Sequence, residues 1–352
     1  MEQESKSTLS LPLDLTSEIL LRLPARSVVK FRCVSKLWSS VTTDPCFIKL
    51  FQTRSSTRPS LLLCFKRGDN LIVSSFPQHT DRYHMKIPGN YSYLPRMESV
   101  HGLICFEDSR NPLVWNPSMR KLLTLTNPNK HKSWKHKTLF LGYDPIEGKY
   151  KVVCIRYKKV SYVCRVLTLG SAQESSWRTV KTNHKHRAYH YTYGRCIDGV
   201  IYYLAGIDGS PYSALMSFDV RSEKFHMIKI PSNIDTDVLI NYKGRIACVD
   251  RSKDTRLWIL EDAEKHKWSS QDFLVPLRHR DESLNAIFKL KGFTHAGEFI
   301  FEEASFFAKS SYILSCDPVR NSFRRFEFKG VRVENNDKLR AFPNHIETLW
   351  SL

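Results

Sequence analysis

None of the nine cysteines forms a C-x-x-C pair; they stand singly at 33, 46, 64, 105, 154, 164, 196, 248 and 316. Odd in number and mostly flanked by apolar residues, they read as small buried hydrophobes in a reducing compartment, with neither a disulfide framework nor a structural metal expected. No run approaches the ~20 uninterrupted apolar residues of a membrane helix. The first ten residues lack the basic-then-apolar order of a secretory leader. A soluble intracellular chain, cytoplasmic or nuclear and without a membrane partner, is the expectation. Catalytic signatures are missing as well. There is no G-x-S-x-G, Walker loop, G-x-G-x-x-G or H-E-x-x-H, so nucleophilic, nucleotide and zincin chemistries have no foothold. No catalytic residue and no cofactor are expected. Acidic residues are scarce, with 35 Asp and Glu against 54 Lys and Arg and a formal charge of +19. Residues 1–50 hold seven basic and five acidic side chains, a net of +2, which leaves +17 for the rest. A basic surface raises encounter rates with acidic proteins, phosphorylated segments and nucleic acid, but it says nothing of fold.

What is present begins with helices. In Leu11-Pro-Leu-Asp-Leu-Thr-Ser-Glu-Ile-Leu-Leu-Arg-Leu23, Pro12 supplies a fixed φ near the entry, and Asp14, Ser17 and Glu18 load the first turns with acceptors. Leu15, Ile19, Leu20 and Leu23 recur at helical spacing, until Pro24 interrupts and opens the next segment. There Val28, Phe31 and Val34 share a face. Ser35 is a good N-cap for a third short helix, Lys36 to about Thr43, carrying Leu37, Trp38 and Val41. Asp44-Pro45 marks a break, after which Phe47, Leu50 and Phe51 begin a further helical turn. Three helices in about forty residues cannot bury all these side chains among themselves, and modules this small commonly complete a core against a partner.

In order and spacing, Leu11-Pro12, Glu18-Ile19-Leu20, Leu23-Pro24, Phe31-Arg32-Cys33-Val34-Ser35-Lys36 and Trp38 resemble an F-box, in the form common in land plants. The resemblance implies that the segment binds a Skp-type adaptor and, through it, a cullin of a ubiquitin ligase. Carried over by position, it puts Leu11, Pro12, Leu15, Ile19, Leu20, Pro24, Val28, Arg32, Val34 and Trp38 at or near the adaptor contact. Leu23, Phe31 and Leu37 read instead as the module's own core, since amphipathic helices turn such residues inward first. Pro12, Leu20, Pro24 and Trp38 read as interface anchors. The module is bounded at 8–52.

Residues 53–60 are polar and turn-rich and read as a linker, and from 61 to 352 the helical period gives way to short strand-like runs. Two landmarks repeat. One is a Gly that opens an apolar strand, at Gly102, Gly148, Gly199, Gly244 and Gly297, with spacings of 46, 51, 45 and 53 that follow from those positions. The other is an acidic or amide turn some way on, as in Val114-Trp-Asn-Pro-Ser118, Phe218-Asp-Val-Arg-Ser-Glu-Lys-Phe225 and Cys316-Asp-Pro-Val-Arg-Asn-Ser-Phe323. Glycine tolerates positive φ at a hairpin corner, and Asn/Asp-Pro starts a type I turn. A period near 50 built of short strands fits a kelch-like propeller of about six blades, with residues 60–98 as a weaker unit. Paired β-sandwiches are the alternative. Trp115, Trp177, Trp258 and Trp268 fall at equivalent places and read as packing residues.

From about residue 98 onward, "HGLICF…VWNPSMRKLLTL", "LGYDPIEGKYKVV", "DGVIYYLAG…SFDVRSEKFHMIKIP" and the ending "HIETLWSL" resemble the F-box-associated domain of plant proteins. That resemblance implies capture of a target protein, without naming one, and carries no catalytic residue. The chain is thus expected to be the non-catalytic substrate-recognition subunit of a Skp–cullin–F-box ubiquitin ligase. Lys132, Lys135, Lys137, Lys185 and Arg187 are the candidate target-binding side chains, suited to an acidic or phosphorylated segment if their loops share a face. Trp134, Tyr189, Tyr191 and Tyr193 keep a nucleic-acid-binding propeller, RNA before DNA, as the alternative, although no RNP, KH or GXXG signature supports it. His184, His186 and His190 lie among cations and lack a nearby thiol, a poor metal set.

Overall fold

The computed structural model describes the chain apart from residues 1–10, 77–81, 88–96, 108–110, 129–133, 135, 171–175, 190–193, 233, 305–311 and 328–338, and apart from the side chains of 107 and 235–237. Four helices lead: α1 (Leu13–Arg22), α2 (Ala25–Phe31), α3 (Lys36–Thr43) and α4 (Pro45–Ser56). Each start follows local chemistry. Pro12 and Pro24 precede α1 and α2, the Ser35 hydroxyl accepts from the Trp38 N–H, and the Asp44 carboxylate accepts from the N–H groups of Cys46 and Phe47. The single further turn expected after Pro45 is a full fourth helix. It extends to Ser56, so the first half of the expected 53–60 linker is helical, and Ser55 is buried in it.

Among the described residues the elements after α4 are strands, and they form five antiparallel sheets. The first holds β1 (Ser60–Arg67), β2 (Asn70–Phe76) and β3 (Tyr83–Lys86). The second holds β4 (Ser99–Val100), β5 (Leu103–Glu107), β6 (Pro112–Asn116) and β7 (Lys121–Thr124). The third is eight-stranded: β8 (Lys137–Asp144), β9 (Lys149–Arg156), β10 (Ser161–Thr168), β11 (Arg178–Ala188), β12 (Arg195–Ile197), β13 (Val200–Ile207), β14 (Ser213–Asp219) and β15 (Phe225–Ile228). The fourth runs through β16 (Ile234–Tyr242), β17 (Arg245–Asp250), β18 (Arg256–Asp262) and β19 (Lys267–Asp272). The fifth runs through β20 (Arg278–Asp281), β21 (Ala286–Phe293), β22 (Phe299–Glu303), β23 (Tyr312–Asp317) and β24 (Ser322–Glu327). The last strand, β25 (Arg340–His345), returns to pair with β1, so the first and last strands share the first sheet.

Each sheet packs against two neighbours, and the contacts β25–β4, β5–β8, β12–β16, β16–β21 and β21–β25 close the ring. Closure of this kind leaves only short outer edges and sets aside the sandwich alternative. About six blades were expected and five sheets are found. The eight-stranded sheet makes the difference, because β11 pairs with β13 at His186–Ile207, Arg187–Gly206 and Ala188–Ala205 and welds two four-strand meanders together. Buried side chains from both meanders, Phe140, Val153 and Val166 from one and Tyr203, Met216 and Phe218 from the other, share one core cluster.

Both repeat landmarks have the backbone that the sequence requires. All five landmark glycines have positive φ. His101-Gly102, Asp198-Gly199 and Lys243-Gly244 are two-residue hairpin loops with both residues in that region, the primed turn that suits strand twist. Asn116, Asp219, Asp262 and Asp317 each accept a backbone N–H three residues on. Trp115 is fully buried, whereas Trp177 and Trp268 lie partly buried at sheet margins. The Trp177 indole donates to the Thr126 carbonyl at 2.7 Å and that of Trp268 to the Lys229 carbonyl at 2.9 Å, each pinning a strand to the connection that enters its own meander. Trp258 donates to Asp250 at 2.8 Å.

Charged side chains brace the centre of the ring. Buried Arg195 donates to the carbonyls of Leu239 (2.7 Å) and Lys291 (2.8 Å) and pairs with Glu98 at 2.6 Å, which ties four consecutive parts of the ring together. Lys291 donates to the Met97 carbonyl, and Arg340 pairs with Glu302 at 3.3 Å. Burial pushes the Lys291 amine down to about 7, against the pull of Glu302 and Glu98.

Candidate adaptor-binding and target-binding surfaces

In the helical module, Thr16, Leu20 and Leu21 of α1 turn inward to meet Ala25, Val28, Phe47 and Phe51. Elsewhere the module's surface is left greasy. Among the described residues, seven of the fourteen exposed large hydrophobics lie there: Leu11, Leu13, Leu15, Ile19, Val34, Leu37 and Leu50. Apolar surface at this density is characteristic of interaction sites.

The residues carried over from the F-box resemblance divide accordingly. Leu11, Pro12, Leu15, Ile19 and Val34 are exposed. Leu20 (1% exposed) and Val28 (0%) are not; both belong to the module's own core, because they sit on the side of α1 and α2 that faces α4. Pro24 is exposed, but it lines a crevice of about 550 Å3 between helices and propeller, with Arg58, Tyr83 and Glu347. Arg32 is half-buried and spends its guanidinium on Thr42, at 2.9 Å to the carbonyl and 3.3 Å to Oγ1, so it fastens the end of α2 to α3. Trp38 is half-buried, edge-on to Phe31 at 5.2 Å. Of the residues expected inward, Leu23 and Phe31 are half-buried, while Leu37 is 49% exposed and adds to the apolar face.

One feature was invisible in the sequence: the C-terminal tail is built into the helical module. Leu349 is fully buried among Leu20, Leu21, Phe47 and Phe51. The Glu347 carboxylate accepts from the Ala25 N–H at 3.0 Å, and its own N–H donates to the Ser55 hydroxyl at 2.7 Å. On the propeller side, Asn116 donates to the carbonyls of Thr348 and Trp350. A Cβ at Gly102 would lie 2.8 Å from both the Ile346 carbonyl and the Thr348 methyl, so only glycine lets the tail pass.

The helices and tail rest on one face of the ring, the face holding the His101-Gly102 and Asn116–Arg120 turns. Because neighbouring strands are antiparallel, the connections between successive sheets leave from the other, far face. Lys137 opens β8 there, opposite Arg156 at the end of β9, but it is 3% exposed. Lys185 and Arg187 lie in the last part of β11, towards the same face. Lys185 pairs with Asp208 at 2.7 Å, and Arg187 donates to the Tyr157 carbonyl at 3.2 Å and stands over Tyr189. Lys132, Lys135, Tyr191 and Tyr193 lie outside the described residues, as does His190. His186 is sealed in the core: its Nδ1–H donates to the His184 carbonyl at 2.7 Å, which leaves Nε2 to accept from the Tyr203 hydroxyl at 2.7 Å. Among the described residues no group of three His, Cys, Asp or Glu is arranged to hold a metal, and no helix is long and apolar enough to cross a membrane.

The chain thus has two parts, a small helical module with exposed apolar residues and the closed ring of sheets to which it is locked. Residues 8–50 match the F-box domain family, and residues 60–346 match the F-box associated beta propeller domain family. Three Arabidopsis thaliana proteins are similar along the whole length. Putative F-box protein At1g47790 is 54% identical, covering 99% of this chain and 96% of that protein. Putative F-box protein At1g47765 is 52% identical over 99% and 95%, and Putative F-box protein At3g10240 is 52% identical over 96% and 92%. The chain belongs to the F-box proteins that carry an F-box associated β-propeller domain. The match is to that domain, and the kelch likeness expected from the repeat period gains no support from it.

Proposed function

We propose that the chain is the substrate-recognition subunit of a Skp–cullin–F-box type ubiquitin ligase, working in the cytoplasm or nucleus. Residues 8–52 dock a Skp-type adaptor and residues 61–352 hold a target protein. The chain makes and breaks no bonds itself. It acts by proximity, raising the effective concentration of target lysines beside a conjugating enzyme carried elsewhere on the cullin. The observation that carries this reading is the exposed apolar surface of Leu11, Leu13, Leu15, Ile19, Val34, Leu37 and Leu50, left open by a module whose core is already filled.

The adaptor contact in this reading consists of Leu11, Pro12, Leu15, Ile19 and Val34 with Leu37 and Leu50, and Trp38 at its margin. The test is co-expression with a Skp-type adaptor and size-exclusion chromatography. A one-to-one complex that is lost in Ile19→Asp, with helicity and melting temperature retained, supports the assignment. A folded wild-type chain that elutes free of adaptor overturns it.

A further inference from the structure

The far face, turned away from the helices, carries a cluster of cations gathered around a tryptophan. Lys137 stands opposite Arg156 in the β8–β9 register, and Arg165 stands opposite Cys154, two residues before Arg156 on β9. With side chains alternating along a strand, the three cations share one side of the sheet. Trp134 lies among them, 3% exposed, with the Arg156 and Arg165 guanidinium carbons 4.6 and 5.2 Å from its ring centroid. Arg165 also donates to the Pro128 carbonyl.

Charge balance in this cluster differs from that around several other arginines. Arg178, Arg245, Arg256, Arg324 and Arg325 are each paired with a carboxylate. Among the described residues no carboxylate pairs with Arg156 or Arg165, and the Nε of each is buried without a hydrogen-bond acceptor. Two cations held on one indole with no counter-charge repel each other. Lys158 and Lys159, exposed in the hairpin that follows Arg156, add to the same field.

We propose that the Arg156–Trp134–Arg165 cluster is the docking point for an acidic segment, a run of Asp and Glu side chains, on the protein that the propeller captures. This rests on the reading of the β-domain as a target receptor. A carboxylate that reaches these guanidiniums accepts charge-assisted hydrogen bonds and cancels their repulsion. Trp134 already holds both side chains in place, so little ordering remains to oppose binding. Lys158 and Lys159 steer the acidic segment during approach.

The experiment uses the full-length chain in complex with its adaptor and measures fluorescence anisotropy with a labelled alternating Asp-Glu decapeptide, against a labelled decamer of oligouridine. Saturable peptide binding that weakens with salt, and weakens by about tenfold or more in the Arg156→Gln/Arg165→Gln double variant, is the expected result. Arg320→Gln, on the opposite face, leaves affinity unchanged, and the charge-keeping Arg156→Lys/Arg165→Lys variant binds with intermediate strength. Should the glutamine variant fail to fold, the lysine variant and raised salt supply the comparison. Equal affinity in wild-type and cluster variants overturns the proposal, as does tighter binding of oligouridine than of the peptide. If the adaptor complex does not form but the chain alone still binds the peptide through these arginines, the receptor reading fails and the acidic site stands.

Discussion

The side-chain amide of Gln52, near the end of α4, donates to the hydroxyl of Tyr150 at the start of β9 at a distance of 2.9 Å. The same nitrogen lies 3.1 Å from Thr348 Oγ1 in the C-terminal tail, and the amide oxygen accepts from the Tyr143 hydroxyl at 3.2 Å. One buried glutamine therefore joins helices, propeller and tail, in a place closed to water. A receptor that works by proximity gains from such a joint, because it fixes the span between adaptor and target.

Gln52→Leu is expected to lower unfolding stability by about 1–3 kcal/mol, since it strands buried hydroxyls while filling much of the volume. Urea unfolding followed by circular dichroism measures it. Unchanged stability would mean that the joint is held by the tail alone.

Leu349→Ala leaves a cavity under α1 and α4, at a cost of about 2–5 kcal/mol. Deleting residues 346–352 removes the Glu347 and Leu349 anchors together. Calorimetry of that deletion should show the helical module melting before the propeller, in place of one shared transition.

Neighbouring residues on α1 should behave in opposite ways. Leu20→Asp buries an unpaired charge and unfolds the module, which appears as lost helicity. Ile19→Asp alters an exposed position, keeps helicity and loses the adaptor. If both variants keep their fold and both bind, the apolar face is not the adaptor contact.

His345 closes β25 with its Nδ1 at 2.8 Å from Ser99 Oγ, and burial pushes its pKa down to about 4. The unfolded chain, with an ordinary histidine pKa near ~6.5, binds the extra proton first as pH falls. The neutral histidine thus costs nothing above about pH 6.5, and stability declines as pH drops from there towards 4, by about 3 kcal/mol in all. His345→Gln should flatten this part of a stability-against-pH curve measured in urea. An unaltered slope would place the titrating group elsewhere.

Arg195→Ala should destabilise the ring by about 3–5 kcal/mol, because it leaves Glu98 buried with its nearest counter-charge gone. Recovery of stability in the Arg195→Ala/Glu98→Gln double variant, read by thermal melting, separates that cause from simple loss of packing.

The features legible in the sequence were those with a local physical cause. Ser35 caps a helix with its own side chain, Asp44-Pro45 marks the break before α4, and the five repeat glycines take positive φ within hairpins a few residues long. The periodic landmarks thus pointed to repeated units of short strands joined by turns. Inside α1 the same logic ran out. Leu15, Ile19, Leu20 and Leu23 lie on a stripe wide enough to face two ways, and only the positions of α4 and Leu349 decide that Leu20 faces in and Ile19 out. Nor does the pattern of β11 reveal that it pairs with β13 and merges two meanders into one sheet.

The sequence by itself determined the helical module, the strand-and-turn repeat and the excess of positive charge, since helix period, turn chemistry and composition act over a few residues at a time. Tertiary structure alone decided that β25 closes the ring on β1, that the tail from Ile346 to Leu352 locks the helices to one face, and that Arg156 and Arg165 meet on Trp134. Those contacts join residues far apart in the chain, and no local preference encodes which distant partner will arrive.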